Sequence, residues 1–477
     1  MKPISLKELL NTEDRTDSTL SLPNLYEGYS EPPKQLEMEQ EDNLETATTL
    51  NMDMISTLPD SLLCYILSFL PTRDSVATSI LSRRWHHLWK ELRVLDLDDA
   101  PFCTPERSAE EMDECFTAFV NEALARFPLI NKFHLSCEVL CEDDFRSCIN
   151  SVTGSHLQEL FVSQMYSFEN YGVPCGIFTC PSLVSLCLKG NISIDDEDLQ
   201  SVHLPSLKYL ELDVKYVNPD MILACCPALE TLKLTLDRVE FPMHMPISTL
   251  KRLTFQDDAY HGEGIEHLEI ETPSLEYLHV SLWCRYLQFS VTDFPNMVEA
   301  HLDIRPCKKD EHLGWIPEFL KAVCKTKLLR LESSTTECLL RAPPIDFPEF
   351  GCLLHLQLRF RSFKSRFLLD LLHCCHKLQV LIIQNELNGP PLNQKSMLQP
   401  TSVPNCVTSH LKILEFIGYH DSPEEHEFIA YILQNGLVLM RMKIHTHTSY
   451  GVKVKDHIFK ELSVLPRSSN VCESIVD

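Results

Sequence analysis

Apolar positions along the chain follow two different rhythms. Leu62, Leu63, Ile66, Leu67 and Leu70 keep the 3.6-residue period of a helix that opens at Pro59, where a missing N–H is tolerated, and stops at Pro71. Asp74 to Leu81 reads as a second short helix, and Ser82 is placed to cap a third in which Trp85, Leu88, Trp89 and Leu92 share a face. A three-helix unit of about forty residues is below the size at which one core is comfortably stable alone. A partner or a neighbouring domain is therefore expected to cover part of it.

Beyond residue 150 the rhythm becomes a repeated phrase. SHLQELFV (155–162), PSLVSLCL (181–188), PSLKYLEL (205–212), PALETLKL (227–234), STLKRLTF (248–255), PSLEYLHV (273–280), PNMVEAHL (295–302), GCLLHLQL (351–358), HKLQVLII (376–383) and SHLKILEF (409–416) share the template L-x-x-L-x-L. Their first apolar positions, Leu157, Leu183, Leu207, Leu229, Leu250, Leu275, Met297, Leu353, Leu378 and Leu411, mostly lie 21 to 26 residues apart. The 56-residue gap after Met297 is expected to hold a weaker copy, TKLLRLES, starting at Leu328, which puts Ser333 in an apolar slot. An earlier copy, ELRVLDLD, starts at Leu92. A short L-x-L strand every twenty-odd residues is the pattern of a leucine-rich-repeat solenoid, because no strand buries its apolar side alone and neighbours must stack. Ten similar phrases weigh against unrelated amphipathic strands in an ordinary α/β domain.

Composition narrows the function. A formal net charge of −26 argues against a polyphosphate partner, which demands a concentrated positive field, so no nucleic acid is expected. The 20 cysteines are spread over the chain and MKPISLKELLNTEDR lacks the apolar core of a secretory signal, so they read as reduced thiols of the cytosol or nucleus. No apolar run approaches the ~18 residues that span a bilayer, so no membrane association is expected. Residues 1–50 are rich in acidic residues, Ser, Thr and Pro, with Tyr26 and Tyr29 as the only aromatics, and are expected to form a flexible acidic tail.

Candidate chemistry is sparse. His373-Cys374-Cys375-His376 offers four zinc-type ligands in a row, but adjacent helical residues point apart and zinc sites need spacing such as C-x₂₋₄-C. LLHCCHKLQVL (371–381) aligns with ILACCPALETL (222–232), and a slot that tolerates Ala-Cys-Cys-Pro is a packing slot. No phosphate loop or nucleophile elbow occurs, so neither catalysis, metal nor cofactor is expected. Arg83, Arg84, His86 and His87 read as the solvated face of the third helix.

The Leu58-Pro59 pair, ILSFLP, Asp74 and SRRWHHLW resemble an F-box. VPNCVTSHLKILEFIGYHDSPEEHEFIAYILQNGLVLMRMKI and KELSVLPRSSNVC are similar to the FBD module that follows leucine-rich repeats in plant proteins. The resemblance covers about residues 55–475 and implies an α/β organisation: a tail (1–50), an F-box (51–95), a curved parallel-sheet solenoid (96–400) and an FBD cap (401–477). It implies a non-catalytic substrate-recognition subunit of an SCF-type (cullin-RING) ubiquitin ligase, docked through a Skp-type adaptor to a cullin and capturing a target protein. A repeat scaffold or small-ligand receptor without ligase recruitment is the alternative. Adaptor contacts are expected at Leu58, Pro59, Leu62, Ile66, Leu70, Pro71 and Val76. Residues flanking the last two apolar template positions project from the concave face. Target contacts are therefore expected among Glu159, Phe161, Tyr209, Glu211, Asp213, Lys233, Arg252, Tyr277, His279, His301, His355 and Arg359.

Overall fold

A computed structural model describes residues 54–476 apart from 128, 155, 165–169, 198, 237–242, 259–266, 285–287, 292, 307–309, 343–345, 387–401 and 448–449. The acidic tail expected over residues 1–50 lies outside the described residues. The chain divides into two compact units, one ending at Ile130 and one beginning at Asn131.

In the first unit, α1 (Asp60–Leu67), α2 (Thr72–Ala77) and α3 (Trp85–Leu88) are followed by β1 (Val94–Asp98) and α4 (Ala109–Arg126). Leu63, Leu67, Val76, Trp85, Leu88, Trp89 and Leu92 are buried together. The face expected on the third helix is thus an inner face. The Ser75 hydroxyl donates to the Leu67 carbonyl at 2.9 Å, holding the end of α1 onto α2, and the Thr72 hydroxyl accepts the Asp96 N–H at 2.7 Å, tying α2 to β1. α4 opens with a capping box in which Ser108 and Glu111 satisfy each other's backbone N–H.

The second unit is built on one long parallel sheet. Its strands are β2 (Lys132–Cys137), β3 (Glu159–Gln164), β5 (Ser185–Ser193), β6 (Tyr209–Tyr216), β7 (Thr231–Leu236), β9 (Arg252–Asp257), β11 (Tyr277–Cys284), β13 (Glu299–Pro306), β14 (Leu328–Leu331), β15 (His355–Phe360), β16 (Val380–Asn385), β17 (Ile413–Tyr419), β18 (Arg441–Thr446) and β19 (Glu473–Val476), hydrogen-bonded in that order. β4 (Tyr171–Gly172) pairs with β5. β8 (Met243–Met245), β10 (His267–Ile270) and β12 (Gln288–Val291) form a separate three-stranded parallel sheet from the connecting segments. Strands that follow sequence order, parallel and each beside its predecessor, make a solenoid-like arrangement.

The template explains the register. Leu160, Leu186, Leu210, Leu232, Leu253, Leu278, Ala300, Leu329, Leu356, Leu381, Leu414 and Met442 all occupy one row across the ladder and are buried. The serine or threonine before the first leucine also has a task. Ser182 donates to the Leu157 carbonyl at 2.7 Å and Thr249 to that of Leu229 at 2.8 Å, so each hydroxyl ties one repeat to the previous one.

The weak copy lies two residues earlier than its sequence suggests. Leu328 pairs with Glu299 and His355, and Leu329 pairs with Ala300 and Leu356. The slot filled by leucine elsewhere is therefore Thr326, fully buried, with its hydroxyl within 2.9 Å of the Val298 carbonyl and 2.8 Å of the Leu328 carbonyl. A threonine is tolerated in an apolar slot because those carbonyls satisfy it. Ser333 begins α8 (Ser333–Arg341) instead of filling an apolar slot. Before it in the chain, α5 (Glu142–Val152), α6 (Pro219–Leu223) and α7 (Ile316–Ala322) connect earlier strands.

Beyond β15 the connections are α9 (Ser365–His373), α10 (Asn405–Ser409), α11 (Pro423–Asn435) and α12 (Val452–Ser463). On α11, Phe428, Ile429, Ile432 and Leu433 are buried and form its inner face. Two neighbouring carboxylates anchor it. Glu424 accepts the backbone N–H and the hydroxyl of Ser365 at 2.8 Å each, at the start of α9. Glu425 is fully buried and accepts from the Asn385 amide at 2.8 Å, the His420 N–H at 3.1 Å and the Ser422 N–H at 3.0 Å. Burial pushes its carboxyl upward and those donors oppose the shift.

Gly190 sits at a register shift between β5 and β6 with φ +100°, and a Cβ there would lie 1.9 Å from the Gln164 carbonyl oxygen. Gly190→Ala is expected to cost ~2 kcal/mol or more, from the left-handed backbone with the clash added. Denaturant unfolding measures this, and an unchanged midpoint would show that the strand end relaxes freely.

Candidate functional site

Two surfaces stand out, one in each unit. In the first, α1 is apolar on both sides. Leu63 and Leu67 point inward, while Leu62, Tyr65, Ile66 and Phe69 recur at helical spacing on the outer side, with Phe69 70% exposed. The rings of Tyr65 and Phe69 meet edge to face at 4.9 Å. Leu70, Ile80 and Leu81 are also exposed. A contiguous exposed apolar stripe on a unit whose inner face is already packed is a candidate docking surface.

Of the residues expected there, Leu62, Ile66, Leu70, Pro59 and Pro71 are exposed and Leu58 is half-buried. Val76 is 4% exposed and packs inside the unit, so it offers no surface in this state. Tyr65, Phe69, Ile80 and Leu81 were not among the expected contacts. Their signal was present in YILSFL and SIL, where apolar residues exceed what one buried face requires.

Arg84 is not simply solvated. Its guanidinium meets Asp60 at 2.6 Å and donates to the carbonyls of Ser56 and Leu58, fixing the entry turn of α1.

The second surface is the outward face of the long sheet. Parallel pairing places Glu159, Tyr209, Arg252, Tyr277 and His355 in one row across the strands. Phe161, Glu211, Lys233, His279 and His301 form the next row, two residues further along each strand, and Asp213 and Arg359 belong to the third. Arg252 is exposed and the others are half-buried. The leucine period brings all twelve to one face.

These side chains interact with one another. Glu159 bonds His134 at 2.9 Å and Lys132 at 2.8 Å, and the His134 contact, aided by Lys132, overcomes burial to hold its carboxyl at about 2. Glu211 lies 2.8 Å from Lys189 and 3.6 Å from Lys233, and it also accepts the Tyr209 hydroxyl. Burial pushes Glu211 up, but Lys189, Tyr209 and Lys233 together leave it below its ordinary value. The Arg252 guanidinium stacks 4.3 Å over Tyr277, while His301 meets both Tyr277 and His279 edge-on at 5.6 Å. Burial lowers His279, His301 and His355, leaving neutral imidazoles in the middle of the face.

Several outward residues escaped the sequence reading. Arg305 stacks over Trp283 at 5.4 Å and bonds Ser281 at 2.7 Å and Asp303 at 3.3 Å. Val380, Ile382, Ile413 and Ile417 make the face aliphatic at β16 and β17, where VLII breaks the alternation seen elsewhere. Asp421, His426 and Glu461 converge within 4.8 Å from a loop and two helices, a meeting that spacing could not show. His426 and Asp421 pair at 3.8 Å, which raises the imidazole above its ordinary value.

Cys226 and Cys375 behave alike, as their aligned slots suggest. Each thiol donates to the carbonyl four residues earlier, at 3.2 Å, and burial holds both protonated, Cys226 at about 12 and Cys375 well above the usual range.

Among the described residues, no helix is long and apolar enough to cross a membrane. A helical unit with an exposed apolar stripe, followed by an in-register parallel leucine sheet, defines a leucine-rich-repeat protein with a small N-terminal helical module. Family models agree segment by segment: the F-box domain matches residues 55–97, the LRR repeats of FBD-associated F-box protein At5g56370 match 145–297, and FBD matches 399–444. The chain is 30% identical over 448 residues to the F-box/FBD/LRR-repeat protein At4g26340 of Arabidopsis thaliana, covering 89% of this chain and 100% of that protein. It is also 30% identical over 465 residues to F-box/FBD/LRR-repeat protein At2g26030 of the same plant, covering 90% and 100%. The chain belongs to the F-box/FBD/LRR-repeat protein family.

Proposed function

We propose that this protein is the substrate-recognition subunit of an SCF-type ubiquitin ligase. Residues 51–95 dock onto a Skp-type adaptor and through it a cullin, residues 96–400 present a concave face that captures a target protein, and residues 401–477 close the end of the repeat sheet. The observation that carries this reading is the outer stripe of α1 and the turn after it, where Leu62, Tyr65, Ile66 and Phe69 lie exposed beside an inner face that is already packed. Leu58, Pro59, Leu70 and Pro71 flank that stripe, and Ile80 and Leu81 extend it. Val76 belongs to the core and supports the surface from behind.

The target face is the set of rows running through Tyr209, Arg252 and Tyr277. Tyrosine and arginine are favoured anchors at protein interfaces, and here they are held by neighbours on a rigid sheet. The first test is co-purification of the full chain with a recombinant Skp-type adaptor. A stable 1:1 complex supports the ligase reading, and failure to bind supports a scaffold or small-ligand receptor. The second test replaces Tyr209, Arg252 and Tyr277 together by alanine and captures targets with ligase activity blocked. Loss of the target at unchanged adaptor binding and melting temperature is expected, whereas retention moves the site to the loops or the C-terminal module.

A further inference from the structure

The middle of the outward face holds an arginine in an unusual position. Arg330 lies on β14 between His301 on β13 and Gln357 on β15. It is half-buried, and its Nε is buried with no hydrogen-bond partner. Among the described residues no carboxylate pairs with Arg330, whereas Arg305 and Arg359 on the same face are held by Asp303 and by Glu332 and Glu386. In a chain with a formal net charge of −26, a half-buried guanidinium with no ion pair among the described residues is out of place.

Its neighbours complete a donor set. Burial first, with Arg330 adding to the effect, lowers both His301 and His355; the His301 Nε2 is engaged by Glu299 at 2.7 Å, so His355 is the neutral imidazole that offers an N–H. Tyr277, two strands from Arg330, meets His301 edge-on at 5.6 Å, and Arg252 lies one strand further out. Donors around one fixed cation are the arrangement that receives an oxyanion.

We propose that Arg330 receives a carboxylate of the captured target, from an aspartate or glutamate side chain of an acidic segment, as its missing bidentate partner. A single negative charge suits the site better than a phosphate, which carries about −1.5 to −2 at neutral pH. Glu299, Asp303 and Glu332 already stand on the neighbouring positions and would repel the additional charge. This inference rests on the sheet face being the target surface.

The test uses the full chain bound to its adaptor. A library of random 12-residue peptides is panned against it, and enriched peptides are synthesised in three forms: as selected, with each acidic residue changed to its amide, and with phosphoserine in its place. One acidic position is expected to matter. Its amide form should bind wild type about tenfold or more weakly, the gain typical of a charge-assisted bidentate pair. Arg330→Ala should bind both forms equally, with an unchanged melting temperature, and Arg330→Lys should recover part of the difference. If Arg330→Ala melts early, Arg330→Gln replaces it in the comparison. An equal amide penalty in wild type and variant overturns the proposal, as does tighter binding of the phosphoserine form or the absence of any enriched peptide. The Tyr209, Arg252 and Tyr277 triple variant separates the two readings. If it loses the peptides while Arg330→Ala does not, the face stands and the carboxylate site falls; if neither loses them, the face itself is wrong.

Discussion

Replacing Leu62, Ile66 and Phe69 together by alanine is expected to weaken adaptor binding by about three orders of magnitude. All three are exposed in the free unit, so each contributes apolar area that only a partner removes from water. A large apolar side chain is worth ~1.5–3 kcal/mol when buried, and three at the lower value give ~4.5 kcal/mol, or roughly a thousandfold. The free protein should barely notice, because none of the three fills its core. Val76→Ala provides the opposite control, since Val76 is packed inside and its loss lowers stability instead of affinity. Leu58 and Pro59 make poorer probes, because the carbonyl of Leu58 accepts from Arg84 and a change there disturbs the entry turn as well. Titration calorimetry with a purified adaptor decides the matter, and wild-type affinity in a folded triple variant would remove α1 from the interface.

The second large effect lies at the other end of the chain. Phe428 on α11 is fully buried 5.4 Å from Phe363, which in turn packs 5.6 Å from Phe360 on β15 and 5.2 Å from Phe416 on β17. Phe428→Ala removes one ring from this cluster and is expected to cost ~3–5 kcal/mol, a large share of the ~5–15 kcal/mol that a domain possesses. Ending the chain near residue 400 goes further, since it strips α11 and β17 from the last repeats and leaves Asn385 without Glu425 and Ser365 without Glu424. The truncated chain should lose its cooperative melt or precipitate. A soluble, cooperatively melting product would show that the C-terminal module does not close the sheet.

The repeat strands were legible in the sequence because their cause is local. Leucines two and three residues apart have a strong period, and whichever strand they form, the same side faces inward, so Tyr209, Glu211, Arg252 and Tyr277 could be assigned to the outward face from the template alone. The weak copy failed for the same reason. Counting leucines placed it at Leu328, while the structure places it at Thr326, where two backbone carbonyls make a hydroxyl acceptable in an apolar slot. The pairing partners supply that information and they are repeats away. KFHLSC, RMKIHT and ESIV are strands without the full leucine template, and the small sheet formed by Met243–Met245, His267–Ile270 and Gln288–Val291 arises from connecting segments with no repeated phrase.

What the sequence by itself determined was periodicity: the helical spacing near residue 60, the recurring template and the inward leucines. These are properties of a side chain relative to its own neighbours, and the backbone geometry of a helix or strand converts them directly into direction. What the tertiary structure decided was partnership. That Val76 is inside while Phe69 is outside, that Arg84 holds the entry turn, that Glu424 and Glu425 reach back to Ser365 and Asn385, and that Arg330 has no ion pair among the described residues all depend on residues distant in the chain. Burial and charge pairing are sums over spatial neighbours, and those neighbours exist only once the strands have stacked.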